Sequence, residues 1–301
     1  MSFTAFVFIT ASAMLHATWN LFAKKSKASV GFYATVSTIA TSCWLHSLFW
    51  SPVRFSELAP EFWLMTLGSV VSDIIYCFGL VTAYRIMDMS TAYPIMRSFP
   101  LIMTMLVTTI LGIGKPLNFQ AVCGMLVVFA GCLLVPQQKF SDLKISVFFN
   151  RKMLFLVLVA CGTTGYTIFD SQAQAIMRSC EPDLSKPVIS ITYYVTRGII
   201  LNLALWCYIF FNQKERAKLA EYRRERNFNA IYAGFAASGT YVLVLVAMNY
   251  VTNVSYVQVF RQIGLIAGVA AGVFILKEKC FLPKVVGVLL IVTGLVMTVL
   301  K

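Results

Sequence analysis

Residues 62–84 read FWLMTLGSVVSDIIYCFGLVTAY, a run in which Asp73 is the only charged residue. A helix of about 20 residues is long enough to cross the ~30 Å hydrocarbon core of a bilayer. The run therefore predicts a membrane-spanning helix that carries one carboxylate near its centre. Similar apolar runs follow one another along the whole chain, and together they decide the fold class.

The composition of the chain excludes several classes of protein. Of its 301 residues, 59% are apolar and 12% are charged, and the mean hydropathy is +0.77. Soluble globular proteins are about 45–50% apolar and about 25% charged, so a soluble enzyme, a disordered protein and a nucleic-acid-binding module are not expected. The net charge of +13 comes largely from Lys and Arg in short loops, whose natural acidic partner is the membrane surface.

The apolar runs predict an all-α polytopic membrane protein with ten transmembrane helices. The predicted spans are residues 3–23, 29–50, 62–84, 89–113, 118–136, 153–178, 187–211, 230–251, 255–276 and 283–300. Span 1 is expected to be retained, because residues 2–10 contain no Lys or Arg and a signal peptide needs a positively charged first region. The ten spans leave no room for a soluble domain.

The loop charges predict a multi-pass orientation in the cell membrane. Seventeen Lys and Arg lie in the loops after odd-numbered spans, and five lie on the opposite side. The seventeen are Lys24, Lys25, Lys27, Arg85, Lys139, Lys144, Arg151, Lys152, Lys214, Arg216, Lys218, Arg223, Arg224, Arg226, Lys277, Lys279 and Lys284. Because positively charged loops stay in the cytoplasm, the odd loops are predicted to be cytoplasmic and both termini to lie outside.

The two halves of the sequence match each other. A shift of 164 residues lays Arg97 on Arg261, and a shift of 163 aligns pairs of glycines in spans 5 and 10. These glycines are Gly124, Gly131, Gly287 and Gly294. Two apolar runs share some residues by chance. A match that includes both an intramembrane arginine and the spacing of two glycines favours a duplication instead.

The match predicts two copies of one five-span unit. The first repeat is residues 1–137, a cytoplasmic connector is residues 138–152, and the second repeat is residues 153–301. Because five is an odd number, the second copy enters the membrane inverted. Many secondary transporters have this plan and bind their substrate between the halves near the bilayer midplane.

Several ionisable residues fall inside the predicted spans. They are Asp73, Asp170, Arg97, Arg197, Arg261 and His16. A charge at the bilayer centre costs at least ~2.5–3.5 kcal/mol, so such side chains face a cavity or a partner. If they line a transport path, the carboxylates and His16 carry protons. If the two aspartates pair with two of the three arginines, one guanidinium stays unneutralised, and Arg97 with Arg261 would bind an acidic group of the substrate. The alternative is structural pairing between acids and arginines, or capping by backbone carbonyls.

Aromatic and amide side chains supply further candidates for substrate binding. A small-molecule site needs an apolar pocket with a few polar groups. The candidates are Trp19, Asn20, Tyr76, Tyr93, Tyr166, Tyr241, Gln258 and Gln262. For tyrosines near span ends, the alternative is anchoring at the membrane interface.

Four motifs give a resemblance to a known family. They are His16-Ala17-Thr18-Trp19-Asn20 in span 1, Ala92-Tyr93-Pro94-Ile95-Met96-Arg97 in span 4, Tyr166-Thr167-Ile168-Phe169-Asp170 in span 6 and Leu276-Lys277-Glu278 after span 9. In order and spacing the chain resembles the EamA-type members of the drug/metabolite transporter superfamily. The resemblance implies two inverted five-helix repeats around a central cavity, and movement of small metabolites or drugs, often outward and coupled to protons or exchange. Such relatives are usually drawn with both termini in the cytoplasm, which differs from the charge-based orientation.

These observations predict a secondary active transporter that exports a small anionic or zwitterionic metabolite by proton-coupled antiport or exchange. A membrane receptor or scaffold is the alternative. An intramembrane enzyme is less favoured, because the sequence has no His-Glu-x-x-His, Gly-x-Ser-x-Gly or two-cysteine redox motif. The eight cysteines form no Cys-x-x-Cys pair, so no metal or other cofactor is expected. The predicted partners are the substrate and membrane lipids, without nucleic acid, and a homodimer is left open.

Overall fold

The computed structural model describes residues 2–24, 29–86, 89–142, 152–224, 228–274, 277 and 279–300, with the backbone alone for 17–24 and 89–94. Over these residues the protein is all-helical, with thirteen α-helices and no strand. The helices are α1 (Phe3–Lys24), α2 (Val30–Ser42), α3 (Ser47–Trp50), α4 (Pro60–Ile86), α5 (Met89–Ile110), α6 (Phe119–Leu134), α7 (Met153–Cys180), α8 (Lys186–Phe211), α9 (Gln213–Arg224), α10 (Asn229–Met248), α11 (Ser255–Phe260), α12 (Ile263–Phe274) and α13 (Leu282–Val299).

Six helical segments are long and apolar enough to cross a membrane, which indicates a membrane protein. They are α4, α7, α8, α10, α13 and the segment Ser255–Phe274 formed by α11 and α12. Leu64, Leu203 and Leu289 are large apolar side chains exposed on the outside of these helices, as a lipid-facing surface requires. The predicted spans 3 and 6–10 correspond to these six segments. Shorter apolar stretches lie at Phe3–His16, Ile95–Ile110 and Phe119–Leu134, so the ten-span plan as a whole stays a prediction.

Two predicted spans are interrupted, and one predicted loop is helical. Span 2 divides into α2 and α3, because tight hydrogen bonds such as Trp44 N–H to Thr41 O (3.1 Å) turn the chain between them. Span 9 breaks at Arg261–Gln262, between α11 and α12. The loop after span 7 contains α9, a helix of mostly charged and polar residues. Apolar content predicts where a span lies, but the hydrogen bonds that bend it come from the tertiary structure.

Helices α6 and α13 pack backbone against backbone through paired glycines. A Cβ on Gly131 would lie 2.6 Å from Gly287 O, and a Cβ on Gly124 would lie 2.7 Å from Gly294 O. Only glycine allows an approach this close. The sequence match lays Gly124 on Gly287 and Gly131 on Gly294. It therefore converts the contact between Gly124 and Gly294 into the contact between Gly287 and Gly131. Self-complementary pairing of this kind is what two-fold symmetry produces.

The connections between helices meet in separate groups. The carboxylate of Glu215 in α9 accepts a hydrogen bond from Val30 N–H at the start of α2 (3.1 Å) and lies 3.6 Å from Arg85 Nη2 at the end of α4. Elsewhere, Arg54 N–H donates to Glu181 Oε1 (3.0 Å) and joins the segment after α3 to the segment after α7. The first group joins connections that follow the odd spans 1, 3 and 7, and the second joins connections that follow the even spans 2 and 6.

Candidate functional site

The candidate site is built around one arginine and two aspartates. Arg197 of α8 places Nη2 2.6 Å from Asp73 Oδ2 of α4 and Nε 3.2 Å from Asp170 Oδ1 of α7. The Ser69 hydroxyl accepts a hydrogen bond from Arg197 Nε (2.7 Å) and donates one to Asp170. The three charged side chains are at most 8% exposed. Buried charges persist only when they are paired and hydrogen-bonded, and the formal charges of two aspartates and one arginine sum to −1.

Tyrosine hydroxyls complete the surroundings of both carboxylates. Asp170 accepts hydrogen bonds from Tyr193 (2.6 Å) and from Tyr241. Asp73 accepts one from Tyr33 (2.7 Å). Each of these donors stabilises an ionised carboxylate. Five helices, α2, α4, α7, α8 and α10, therefore meet at this cluster.

Small residues of α7 bring the two aspartates close together. A Cβ on Gly162 would lie 2.6 Å from Ser72 O of α4, and a Cβ on Gly165 would collide with the Ser72 side chain. The two helices can therefore pack backbone against backbone. Asp73 follows Ser72 directly, and Asp170 lies further along the same packed segment of α7.

A cavity of about 120 Å³ borders the charged cluster and is called the larger cavity below. Its ionisable lining includes Asp73, Arg197, Arg261 and His16. It is also lined by Tyr33, Tyr76, Tyr166, Tyr194 and Tyr241. The tyrosine rings contact one another with centroids 5.8–6.2 Å apart. An apolar pocket with a few placed polar groups is suited to a small molecule.

A second cavity of about 60 Å³ adjoins the first and is called the smaller cavity. Four side chains line both cavities: His16, Tyr76, Tyr166 and Arg261. The polar lining of the smaller cavity also includes Tyr84, Arg97, Thr163, Gln258 and Gln262. The four shared side chains form a partition, with the rings of Tyr76 and Tyr166 in edge contact at 5.8 Å.

Arg97 and Arg261 are in contact, but they do not occupy equivalent positions. Arg97 Nη2 donates to Arg261 O at 2.6 Å, and Gln262 Nε2 donates to Arg97 O at 3.0 Å. These two bonds hold the break between α11 and α12 against α5, whereas α5 is continuous at Arg97. The guanidinium of Arg261 lines both cavities, and Arg97 lines the smaller one. Asp73 and Asp170 both pair with Arg197, so the two carboxylates do not neutralise two different arginines.

The structure places most of the predicted site residues around these cavities. Asp73 and Tyr241 line the larger cavity, Arg97, Gln258 and Gln262 line the smaller one, and His16, Tyr76, Tyr166 and Arg261 line both. Asp170, predicted as a proton carrier, is fully buried behind the larger cavity and is not part of its lining. The side chains of Trp19, Asn20 and Tyr93 lie outside the described residues, so their predicted roles stay predictions.

Among the residues that sequence reasoning missed, four either hydrogen-bond to the charged cluster or add a tyrosine ring to the lining of the larger cavity. They are Tyr33, Ser69, Tyr193 and Tyr194. A tyrosine in an apolar run is equally compatible with packing, so Tyr33 carries no signal of its own. Tyr193 lies four residues before Arg197 on one face of α8, and that spacing could have indicated a shared partner.

Comparison with known proteins gives information on the fold and does not assign an activity. The sequence matches no protein-family model and no curated protein. Among solved structures, 27 chains resemble this one. One, a crystal structure, superimposes with a TM-score of 0.64 over 98% of this chain and 97% of the other, at 15% sequence identity. A likeness at this identity shows that the overall fold is shared along almost the whole length of both chains.

Proposed function

We propose that this protein is a secondary active transporter of the EamA type, which moves a small anionic or zwitterionic metabolite out of the cell. The observation that carries the proposal is a buried charged cluster beside two adjoining cavities, lined by residues of both halves of the chain. His16 and Tyr76 come from the first half, and Tyr166 and Arg261 come from the second. A site between halves is what alternating access requires.

The proposed transmembrane plan has ten crossings. Beside the six long apolar segments, α1, α2 with α3, α5 and α6 would cross as well. Alternate connections then lie on opposite sides, and the contacts support this arrangement. Lys115 N–H, after α5, donates to Thr252 O, after α10 (2.8 Å), and both connections follow even-numbered spans. With the excess of basic residues in the odd connections, the α9 side is proposed to be cytoplasmic.

An inverted duplication of residues 1–137 and 153–301 is part of the same proposal. The exchanged glycine contacts between α6 and α13 support it. A second pair of contacts supports it too. Ser12 Oγ of α1 donates to Thr240 O of α10 (2.8 Å), and in the equivalent contact Gly162 of α7 packs on Tyr76 of α4. A shift of 150 residues lays Ser12 on Gly162, and a shift of 164 lays Tyr76 on Thr240, so equivalent residues make these two contacts between the halves.

The distribution of charge favours a substrate with an acidic group. Arg197 is neutralised by Asp73 and Asp170, whereas no ion pair to Arg261 is present among the described residues. An unneutralised guanidinium in a low-dielectric cavity is costly, and a carboxylate or phosphonate would offset that cost with a bidentate contact. Arg261 is therefore the proposed ligand of the acidic group, and Arg97 positions it by holding the break in its helix.

The formal negative charge of the cluster favours binding of one further positive charge beside Arg197 during transport. The formal charges of Asp73, Asp170 and Arg197 sum to −1, and Asp73 lines the larger cavity. A proton on Asp73 or the ammonium group of a zwitterion would neutralise it. Proton-coupled antiport with Asp73 as carrier, and exchange of zwitterions, are the two mechanisms consistent with this charge. His16, which lines both cavities, remains the second candidate carrier.

The experiment that tests the proposal has two stages. Comparing metabolites in the medium of cells with and without the protein selects candidate substrates. Each candidate is then assayed for flux in proteoliposomes that contain the purified wild-type protein or Arg261→Gln. The matched control is Arg54→Gln, at an exposed arginine that lines neither cavity. We expect flux of an acidic or zwitterionic compound that Arg261→Gln reduces at least tenfold and the control leaves unchanged. The absence of any flux, or preferred transport of quaternary ammonium compounds, would contradict the proposal.

A further inference from the structure

Helix α9 lies against the transmembrane helices through a narrow inward face. It contains the sequence QKERAKLAEYRR, of which Glu215 and Leu219 are buried. These residues are one helical turn apart and therefore share one face. The basic residues Lys214, Arg216 and Arg223 are exposed. Burying a carboxylate in so polar a helix is costly unless it is bound by partners.

The partners of Glu215 come from two transmembrane helices. Its carboxylate accepts a hydrogen bond from Val30 N–H in the first turn of α2 (3.1 Å) and lies 3.6 Å from Arg85 Nη2 in the last turn of α4. Lys218 Nζ, one turn further along α9, lies 2.5 Å from it. An anion at the first turn of a helix is also favoured by the helix dipole. One carboxylate therefore joins the ends of α2 and α4.

A close apolar contact lies beside this ion pair. A Cβ on Gly31 would lie 3.1 Å from Leu219 Cβ, so glycine at this position lets α9 rest directly on α2. Leu219 also belongs to a small apolar cluster with Val30, Cys77 and Leu205 of the surrounding helices. The attachment of α9 to α2 thus combines a buried charge with packing.

The two helices joined by α9 form two walls of the larger cavity. Tyr33 and Ser37 of α2 line it, and so do Asp73 and Tyr76 of α4. Tyr33 lies one turn from Val30 and donates to Asp73 across the cavity (2.7 Å). Separation of α2 from α4 at the α9 end would therefore open the cavity towards that side of the membrane.

We propose that α9 is a latch, in which Glu215 holds α2 to α4 and must release α2 when the larger cavity opens to the α9 side. The latch rests on the proposed transport function only in requiring that the cavity opens at all. Because Glu215 belongs to neither cavity, its role is conformational and does not involve contact with the substrate.

The first arm of the test measures access to the cavity without any substrate. Ser37→Cys places a thiol in the cavity wall, and a membrane-impermeant maleimide is applied from the α9 side to membrane vesicles, with labelling of residue 37 quantified by mass spectrometry. Replacement of Glu215 by Gln should raise this labelling rate about tenfold, since a hydrogen-bonded charge is lost. The exposed acid on the same helix provides the matched control, Glu221→Gln, which should leave the rate unchanged.

The second arm keeps Glu215 and locks the latch covalently. Gly31→Cys and Leu219→Cys are introduced together with Ser37→Cys. They place two Cβ atoms near the separation that a disulfide requires. Oxidation of this pair should slow labelling of residue 37 at least tenfold, and reduction followed by removal of the reductant should restore it. Equal labelling in the locked and reduced forms would overturn the latch even if Glu215→Gln failed to fold. Normal transport by the oxidised, cross-linked form would overturn the latch and leave the transporter proposal standing. If oxidation slows the labelling but the wild type transports nothing, only the transporter proposal is contradicted.

Discussion

Arg197 and Asp73 form a 2.6 Å ion pair between helices that come from the two halves of the chain, 124 residues apart in sequence. Asp170, in the same half as Arg197, holds the other side of the guanidinium at 3.2 Å. Arg197 is therefore anchored within its own half by one aspartate and bound to the other half by the second. A change in the charge of Asp73 would weaken the contact between halves and leave the anchor in place.

Replacement of Asp73 by Asn should separate proton coupling from exchange. The carboxamide keeps the shape of the side chain and a hydrogen-bond acceptor for Tyr33, but it cannot carry the proton. We expect loss of transport driven by a pH gradient, while counterflow of substrate across proteoliposomes persists. Asp142→Asn, at an exposed acid in the connector, is the control that should behave as wild type. Full pH-gradient-driven transport in Asp73→Asn and in His16→Gln would exclude proton coupling through either residue.

The two arginines beside the helix break should differ in their kinetic effects. Arg261→Lys keeps the charge but loses the planar fork that binds an acidic group bidentately, so KM should rise about tenfold. Arg97→Lys loses the bond from Nη2 to Arg261 O and acts through the backbone, so it should mainly lower the maximal rate. Both parameters are measured by initial uptake into proteoliposomes. A rise in KM for Arg97→Lys alone would reverse the assigned roles.

The glycine contact between α6 and α13 predicts a difference in stability between two alanine substitutions. Gly131→Ala would place a Cβ 2.6 Å from Gly287 O, and the helices would have to separate. We expect a cost of about 1–3 kcal/mol in the free energy of unfolding. Gly268→Ala is the control, because nothing lies within 4 Å of its Cβ and alanine favours a helix. Thermal unfolding in detergent should show a lower Tm for the first variant only.

The pKa of Glu215 predicts how the attachment of α9 depends on pH. Burial raises this pKa, but the hydrogen bond and charge of Lys218, the Val30 amide and Arg85 outweigh burial and hold it below the ordinary value of 4.5. A carboxyl group with a lowered folded-state pKa contributes stability above its unfolded-state pKa and loses it as the pH falls through the folded value. The stability difference between wild type and Glu215→Gln should therefore be constant from pH 8 to pH 6 and shrink below about pH 4. A difference that shrinks between pH 8 and pH 6 would contradict the lowered pKa.

The charge asymmetry of the loops predicts the orientation of the chain. Reporter fusions placed after Lys301 and within the segment near Lys218 should report opposite sides of the membrane, with Lys218 in the cytoplasm. The physical reason is the seventeen basic residues in the odd connections against five elsewhere. A cytoplasmic reporter active at Lys301 would contradict this orientation.

The sequence alone determined the class of the protein and the residues whose burial needs an explanation. Apolar runs such as 62–84 predict spanning helices, because a backbone in hydrocarbon must satisfy its hydrogen bonds internally. The same reasoning identified Asp73, Asp170, Arg197 and Arg261, because a charge in such a run requires a cavity or a partner.

Only the tertiary structure decided which partners these charges have. Asp73, Asp170 and Arg197 lie far apart in sequence, and their pairing depends on the packing of α4 on α7, which no periodicity describes. The equivalence of Arg97 and Arg261 in the repeat predicted equal roles, but the contacts of Arg97 and Gln262 at the helix break differ between halves. Tyr33 was not predicted because a tyrosine in an apolar run packs or binds according to what faces it. The reason is general: hydrophobic burial is read from local composition, whereas each ion pair and hydrogen bond depends on a neighbour that folding supplies.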